Sequence, residues 1–348
     1  MTAIPERLTT MKYIPVADAV GSVLFHDITR IVPGECKGPV FRKGHIVTEA
    51  DIPVLLDVGK EHLYVFEQQP GMLHENEAAG RIVDRVAGQN LLRSEPVEGK
   101  ITLRAARHGL LRIDTEALVR VNSLGEIALA TLHSLQEVQE NQAVAGTRVI
   151  PLTVREEKIA ELERQVPGPI VEVLPLRSVP VGIVTTGSEI YHGRIKDGFG
   201  PVLEKKCAGW GCPIMGQKLT SDDVALTSAA IREFVAAGAG MVLVTGGMSV
   251  DPDDRSPLAI REAGATVVSY GAPMFPGAMF LLAHIGDVPV MGLPGCVMYH
   301  AASIFDIVVP RLLAGLTVTA QDIASLGHGG FCASCPECRY PLCSFGKI

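Results

Sequence analysis

The chain of 348 residues has a single tryptophan, 5% aromatic residues and a charged fraction of only 20%, and it has no surplus of positive charge. Lys and Arg total 31 against 38 Asp and Glu, a net charge of -7. That balance argues against a surface that coats nucleic acid, so an anionic ligand must be captured locally. Low-complexity tracts and internal repeats are absent, and with 47% hydrophobic residues the composition excludes a wholly disordered or coiled-coil protein. The opening MTAIPERLTTMKYIP has no apolar core of signal-peptide type, which makes the cytoplasm the expected location. The segment from Ala263 to Gly286 lacks Asp, Glu, Lys and Arg and is long enough to cross a bilayer. Its Gly264, Gly271, Pro273, Pro276, Gly277 and Gly286 would leave backbone groups unsatisfied in lipid. It reads instead as a buried strand, a loop and a second strand, so neither membrane nor nucleic acid is an expected partner.

The length suggests two or three domains and ample chain for a core. Residues 1–74 read as an α+β segment, with a helix from Glu49 to Leu56 behind Thr48 as N-cap, a stop at Gly59 and a strand from His62 to Phe66. Residues 75–163 read as a small α+β module, with short strands at Leu110 to Ile113, Ala117 to Val121 and Ile127 to Thr131. Pro167, Gly168, Pro169, Pro175 and Pro180 mark a break. Beyond it, Val181 to Thr185, Met241 to Val244, Thr266 to Ser269 and Val288 to Met291 are compact apolar runs of the kind buried on both faces. Helical stretches lie between or after them, at Pro201 to Gly209, Asp222 to Ala237, Pro257 to Ala263 and Met298 to Leu313. Residues 178–315 are therefore expected to form an α/β domain with a doubly wound, mostly parallel sheet.

The chemistry is expected where three of these strands end. They run into Thr186-Gly187-Ser188-Glu189, Gly246-Gly247-Met248-Ser249 and Leu293-Pro294-Gly295. In an open parallel sheet ligands bind outside the carboxyl ends of the strands. Glycine turns let the backbone approach a ligand, and their N–H groups cradle oxyanions. Asp251, Asp253 and Asp254 follow the second loop, and Asp197 precedes a helix. Carboxylates beside an anion site suggest Mg²⁺. Helix capping is the competing reading for Asp253 and the adopted one for Asp222 and Asp223.

Four separated motifs, Thr186-Gly187-Ser188-Glu189, Lys196-Asp197-Gly198-Phe199-Gly200-Pro201, Thr245-Gly246-Gly247-Met248-Ser249-Val250 through Asp254, and Leu293-Pro294-Gly295, make the stretch from Val181 to about Gly315 resemble the molybdopterin-binding domain shared by molybdopterin adenylyltransferases and molybdopterin molybdenumtransferases. The first and last look like the molybdenumtransferase loops, although Ser188 stands for the usual Asp and Cys296-Val297 for Asn-Pro. The motifs around Asp197 and Asp254 look more like the adenylyltransferase pattern. Lys43 through Val65 is similar to a helical segment that precedes this domain in molybdenumtransferases, but the D-G-Y-A type motif has no counterpart.

The resemblance implies an enzyme that binds molybdopterin across the three loops and takes part in molybdenum insertion. Adenylylation and a non-catalytic carrier or sensor are the alternatives. It places Asp197 and Asp254 as catalytic and magnesium-binding residues, with Asp253 beside the pterin. An ATP or AMP moiety and molybdate are further ligands, and Arg194 or Lys196 is a candidate molybdate or phosphate contact. It also implies a homo-oligomer, with a molybdoenzyme or another cofactor-biosynthesis protein as partner.

In the Cys-rich stretch 316–348, Cys332, Cys335, Cys338 and Cys343 are spaced for one zinc ion or an iron-sulfur cluster, which favour thiolates. A reduced tail without metal is the competing reading. Cys296, on the third loop, reads as a small buried residue.

Overall fold

The computed structural model describes residues 13–32, 36–64 and 70–347, without the side chains of residues 31, 32, 36 and 37. The part of the expected strand that covers Val65 and Phe66 lies outside them. The fold begins with the paired strands Tyr13–Pro15 and His62–Tyr64 and the hairpin Ile28–Val32 with Cys36–Phe41. These surround a small core that includes Val16, Leu24, Leu55 and Leu63. The helix there spans Asp51–Asp57, not Glu49 to Leu56. Thr48 does not cap it. Its N–H and Oγ1 both donate to Asp51 Oδ2 at 2.8 Å, so the carboxylate holds the turn from inside the helix.

A second core lies beneath helices Glu75–Val86 and Glu156–Gln165. It is walled by a four-stranded antiparallel sheet in the order Leu91–Arg93, Lys100–Ala105, Ala143–Val149, Ile127–Thr131. Residues Ala117 to Val121, expected as a strand, lie in the helix Thr115–Ser123. Asp114 accepts from Ala117 N at 2.8 Å, and Ala117 and Val121, one turn apart, are the residues that become buried. The proline-rich break is also more than a linker. Val171–Pro175 pairs antiparallel with Gly109–Ile113 and adds a strand to this part of the molecule.

The remaining residues build a six-stranded sheet. Its elements are β1 (Val181–Thr186), α1 (Ser188–Tyr191), α2 (Phe199–Gly209), β2 (Ile214–Thr220), α3 (Val224–Ala236), β3 (Met241–Thr245), α4 (Ser256–Glu262), β4 (Thr266–Tyr270), β5 (Leu281–Ile285), β6 (Val288–Leu293), α5 (Cys296–Tyr299), α6 (Ile304–Leu313) and α7 (Ala320–Ser325). The spatial order is β2-β1-β3-β6-β5-β4, parallel from β2 to β6 and antiparallel for β5 and β4. Side-chain alternation sends Val181, Ile183, Met241 and Leu243 to one face under α2 and α6, and Val184, Val242 and Val244 to the other under α3 and α4. Both faces are covered, so the sheet is doubly wound. Gly182 is small because Phe234 of α3 sits on it; a Cβ there would lie 2.4 Å from the ring.

The uncharged stretch resolves into β4, a loop and β5. Among the described residues no helix is long and apolar enough to cross a membrane. The expected helix Met298 to Leu313 is split, because Ser303 opens α6 with a reciprocal capping box to Asp306.

Candidate functional site

The first connection from β1 leads outward to β2, and the chain then crosses back over β1 to β3. The crevice between the ends of β1 and β3 is therefore the point where the winding reverses, the usual ligand position in this architecture. Register brings Thr185 beside Thr245 and Thr245 beside Leu293. Thr245 Oγ1 donates to Thr185 Oγ1 at 3.1 Å, which ties the two strand ends together.

A cleft of about 440 Å³ opens there. Thr186, Gly187, Ser188 and Glu189 form one side, and Gly246 and Gly247 the facing turn. Both glycines of that turn have positive φ, 80° and 54°, and a Cβ on Gly246 would sit 2.1 Å from Thr186 O. Only glycine permits the two loops to lie this close. Ser256 fixes the turn: its Oγ donates to Gly246 O at 2.8 Å and its N–H to Gly247 O at 3.1 Å.

The rest of the lining is acidic. Asp222, Asp251, Asp253 and Asp254 join Glu189 on the walls. Asp222 was expected to cap a helix, but Asp223 does so, accepting from Leu226 N at 2.9 Å. Asp222 Oδ2 instead accepts from Ser188 N at 2.9 Å and Ser188 Oγ at 2.8 Å, binding the lip of the first loop to the end of β2. Asp253 does not cap α4 either; the residue at that cap is Arg255. Asp251 organises its own turn, accepting from Asp253 N at 3.1 Å, while its N–H donates to Asp254 Oδ2 at 3.2 Å. Arg255 lines an adjoining hollow with Thr186, Asp222 and Ser256.

Several expected site residues lie elsewhere. Met248 and Leu293 point into the two cores on opposite faces of the sheet, Met248 against Gly292. Ser249 and Gly295 are exposed and Pro294 is buried, and the third loop flanks the cleft without lining it. Cys296 beside it is half-buried, and burial raises its thiol pKa.

Asp197 is also outside the cleft lining. Its two oxygens accept from Phe199 N at 2.9 Å and Gly200 N at 2.8 Å at the start of α2, and Gln217 Nε2 donates to Oδ2 at 2.6 Å. Gln217 also donates to Thr185 Oγ1 at 2.8 Å. Of the expected magnesium pair, Asp254 lines the cleft, and the Asp197 carboxylate is hydrogen-bonded at a helix start. Among the described residues no three His, Cys, Asp or Glu side chains form a ready ligand set, and this applies to Cys332, Cys335, Cys338 and Cys343 as well.

Residues 182–314 match the family model described as a probable molybdopterin binding domain. That segment is similar to this family's domain. Residues 13–67 match a second model, described as a domain of unknown function (DUF8806). Among curated relatives, a molybdenum cofactor biosynthesis bifunctional protein of Synechococcus elongatus is 27% identical over 173 residues, which are 49% of this chain and 52% of the relative. A molybdopterin molybdenumtransferase of the same organism is 27% identical over 119 residues, 32% of this chain and 30% of the relative. The chain thus spans about half of one of these relatives and less of the other. Among solved structures, the molybdopterin biosynthesis enzyme MoaB of Thermus thermophilus is 19% identical, covers 39% of this chain and 97% of its own, and has a TM-score of 0.33. The residues lining the cleft all lie within the matched segment 182–314.

Proposed function

We propose that the cleft binds molybdopterin and that the chain takes part in molybdenum insertion during molybdenum cofactor biosynthesis, in the manner of a molybdopterin molybdenumtransferase. The observation that carries this reading is a glycine-walled, carboxylate-lined cleft at the winding reversal of a molybdopterin-binding domain. Glu189, Asp222 and Asp251 offer acceptors to the amino and ring N–H groups of a pterin. Thr186, Ser188 and the N–H groups of the Gly246-Gly247 turn suit the oxyanion end, with Arg255 as the neighbouring positive charge. In this reading the protein positions pterin and molybdate, and the pterin's sulfurs supply the metal ligands. It acts in the cytoplasm, as a homo-oligomer, and delivers its product to a molybdoenzyme or another biosynthesis protein.

A second reading, a carrier or sensor that binds without turnover, is favoured by one observation: Asp197 has both oxygens engaged in the fold. The adenylylation reading needs that carboxylate free for a metal and is the weaker for it. Titration with molybdopterin, followed by pterin fluorescence, is expected to saturate at one ligand per chain. Asp222→Ala frees both Ser188 donors and is expected to weaken binding about 10-fold or more, as loss of hydrogen bonds to a charged group does. Turnover of adenylylated molybdopterin with molybdate supports insertion. Saturable binding without turnover selects the carrier, and absence of affinity overturns both.

A further inference from the structure

A second cavity, of about 690 Å³, has a lining distinct from that of the cleft. It lies at the join between the second core and the six-stranded sheet. Glu137 and Gln139 come from one side; α2 with Trp210 after it, the segment from Met298 to Ala301, and Tyr340 come from the other. A cavity of this size at such a join, with apolar and aromatic walls and a few polar groups, is of the kind that takes a small molecule.

Most of the charge in the lining is already matched within the protein. Both oxygens of Glu137 are engaged, one with His108 Nε2 at 2.6 Å and the other with Trp210 Nε1 at 3.3 Å. Lys206 is largely buried, is paired with Asp306 and donates to Ala301 O at 2.8 Å. Two groups are left over. Lys205 and His300 are exposed, and among the described residues neither has a hydrogen bond or an ion pair. The lining therefore presents one uncompensated positive charge and an imidazole.

The apolar part of the lining is equally unspent. Tyr299 is 78% exposed, and half-buried Met298 and Val202 are further apolar walls. Gly209, the last residue of α2, adds an independent sign. Its φ lies outside the left-handed region, and a Cβ there would meet nothing within 4 Å, so neither backbone nor packing calls for glycine. Glycine is a poor helix residue. What it preserves here is the open space of the cavity it lines.

We propose that this cavity is a second binding site, for a small aromatic anion. The ring lies against Tyr299, Met298 and Val202, and the acidic group meets Lys205 and His300. The occupant contacts both sides of the join. The site does not depend on what the cleft binds.

The test uses the full-length native protein with anilinonaphthalene sulfonate, a fluorescent aromatic anion, as probe. Trp210 lines the cavity and is the chain's single indole, so a dye bound there takes up its excitation. Indole emission should fall as dye emission rises, saturating at one dye per chain. Lys205→Glu replaces attraction by repulsion at an exposed position and should weaken binding about 5-fold or more, with a larger effect at low ionic strength. Gly209→Phe fills the cavity and should abolish the transfer. Both positions are exposed, so far-UV circular dichroism should match the parent; neither lines the cleft, which keeps the result separate from the molybdopterin titration. Absence of saturable transfer from Trp210 overturns the proposal. So does dye binding that is unchanged in either folded variant, because the dye is then on another surface.

Discussion

Asp222 and Asp197 both stand near the carboxyl ends of strands, yet they hold different things: Asp222 grips the backbone and hydroxyl of Ser188 at the lip of the cleft, and Asp197 grips the first turn of α2. A third acidic residue, Glu75, lies far from both and is only 7% exposed. Burial raises its pKa from 4.5 to about 7, with Glu98 and Asp27 adding to the shift and Arg148 and Lys43 opposing it. Because the folded form holds the proton more tightly than the unfolded form, stability is lost as pH rises from about 4.5 to about 7 and is not regained above. Glu75→Gln removes that penalty. Urea unfolding should find the variant more stable by about 2 to 3 kcal/mol at pH 8, with the gain fading toward pH 4.5. In the sequence the Gly246-Gly247 turn was legible because two adjacent glycines after an apolar strand have few other uses. Asp222 was not: beside Asp223 and before a helix, either residue fits a cap, and only the position of Ser188 decides between them.

At the level of elements, α2 depends on Asp197, which satisfies two of its unpaired N–H groups. Gly200 permits this contact, since a Cβ there would come within 2.6 Å of Asp197 Oδ2. Asp197→Ala is expected to destabilise the protein by about 1 to 2 kcal/mol, the cost of losing a helix cap, with a lower denaturation midpoint. A residue that acted only on substrate would leave that midpoint where it is. The strands β1, β3 and β6 could be read directly, since burial on both faces leaves an uninterrupted apolar run. Strand β2 was unreadable for the opposite reason. It lies at the sheet edge, where Gly216, Gln217 and Lys218 sit among alternately half-buried and exposed positions and give no such run. Ala117 to Val121 was misread because its five residues suit either period, and the Asp114 cap settles the matter locally.

In the whole molecule, polar links among the described residues help join the parts. Thr29 Oγ1 donates to Glu98 Oε1 at 3.1 Å, and the ring Nε2 of His74 is 3.1 Å from Phe25 O, between the first two cores. Between the second core and the six-stranded sheet, Glu137 takes the indole N–H of Trp210 at 3.3 Å, and on its own side it meets His108 at 2.6 Å. The sequence marked this join by its prolines, but the Glu137–Trp210 pairing across it could not be read, because a single polar contact has no periodic pattern. Trp210 is 9% exposed and stacks edge-on to Phe305 at 5.5 Å, so a probe is already built in. A polar seam yields before apolar cores do. In a denaturant titration its emission should move to longer wavelength before far-UV circular dichroism is lost; coincident transitions would mean that the parts unfold as one. Since this is the chain's single indole, the fluorescence of the unlabelled protein is a direct optical gauge of whether the two halves are docked.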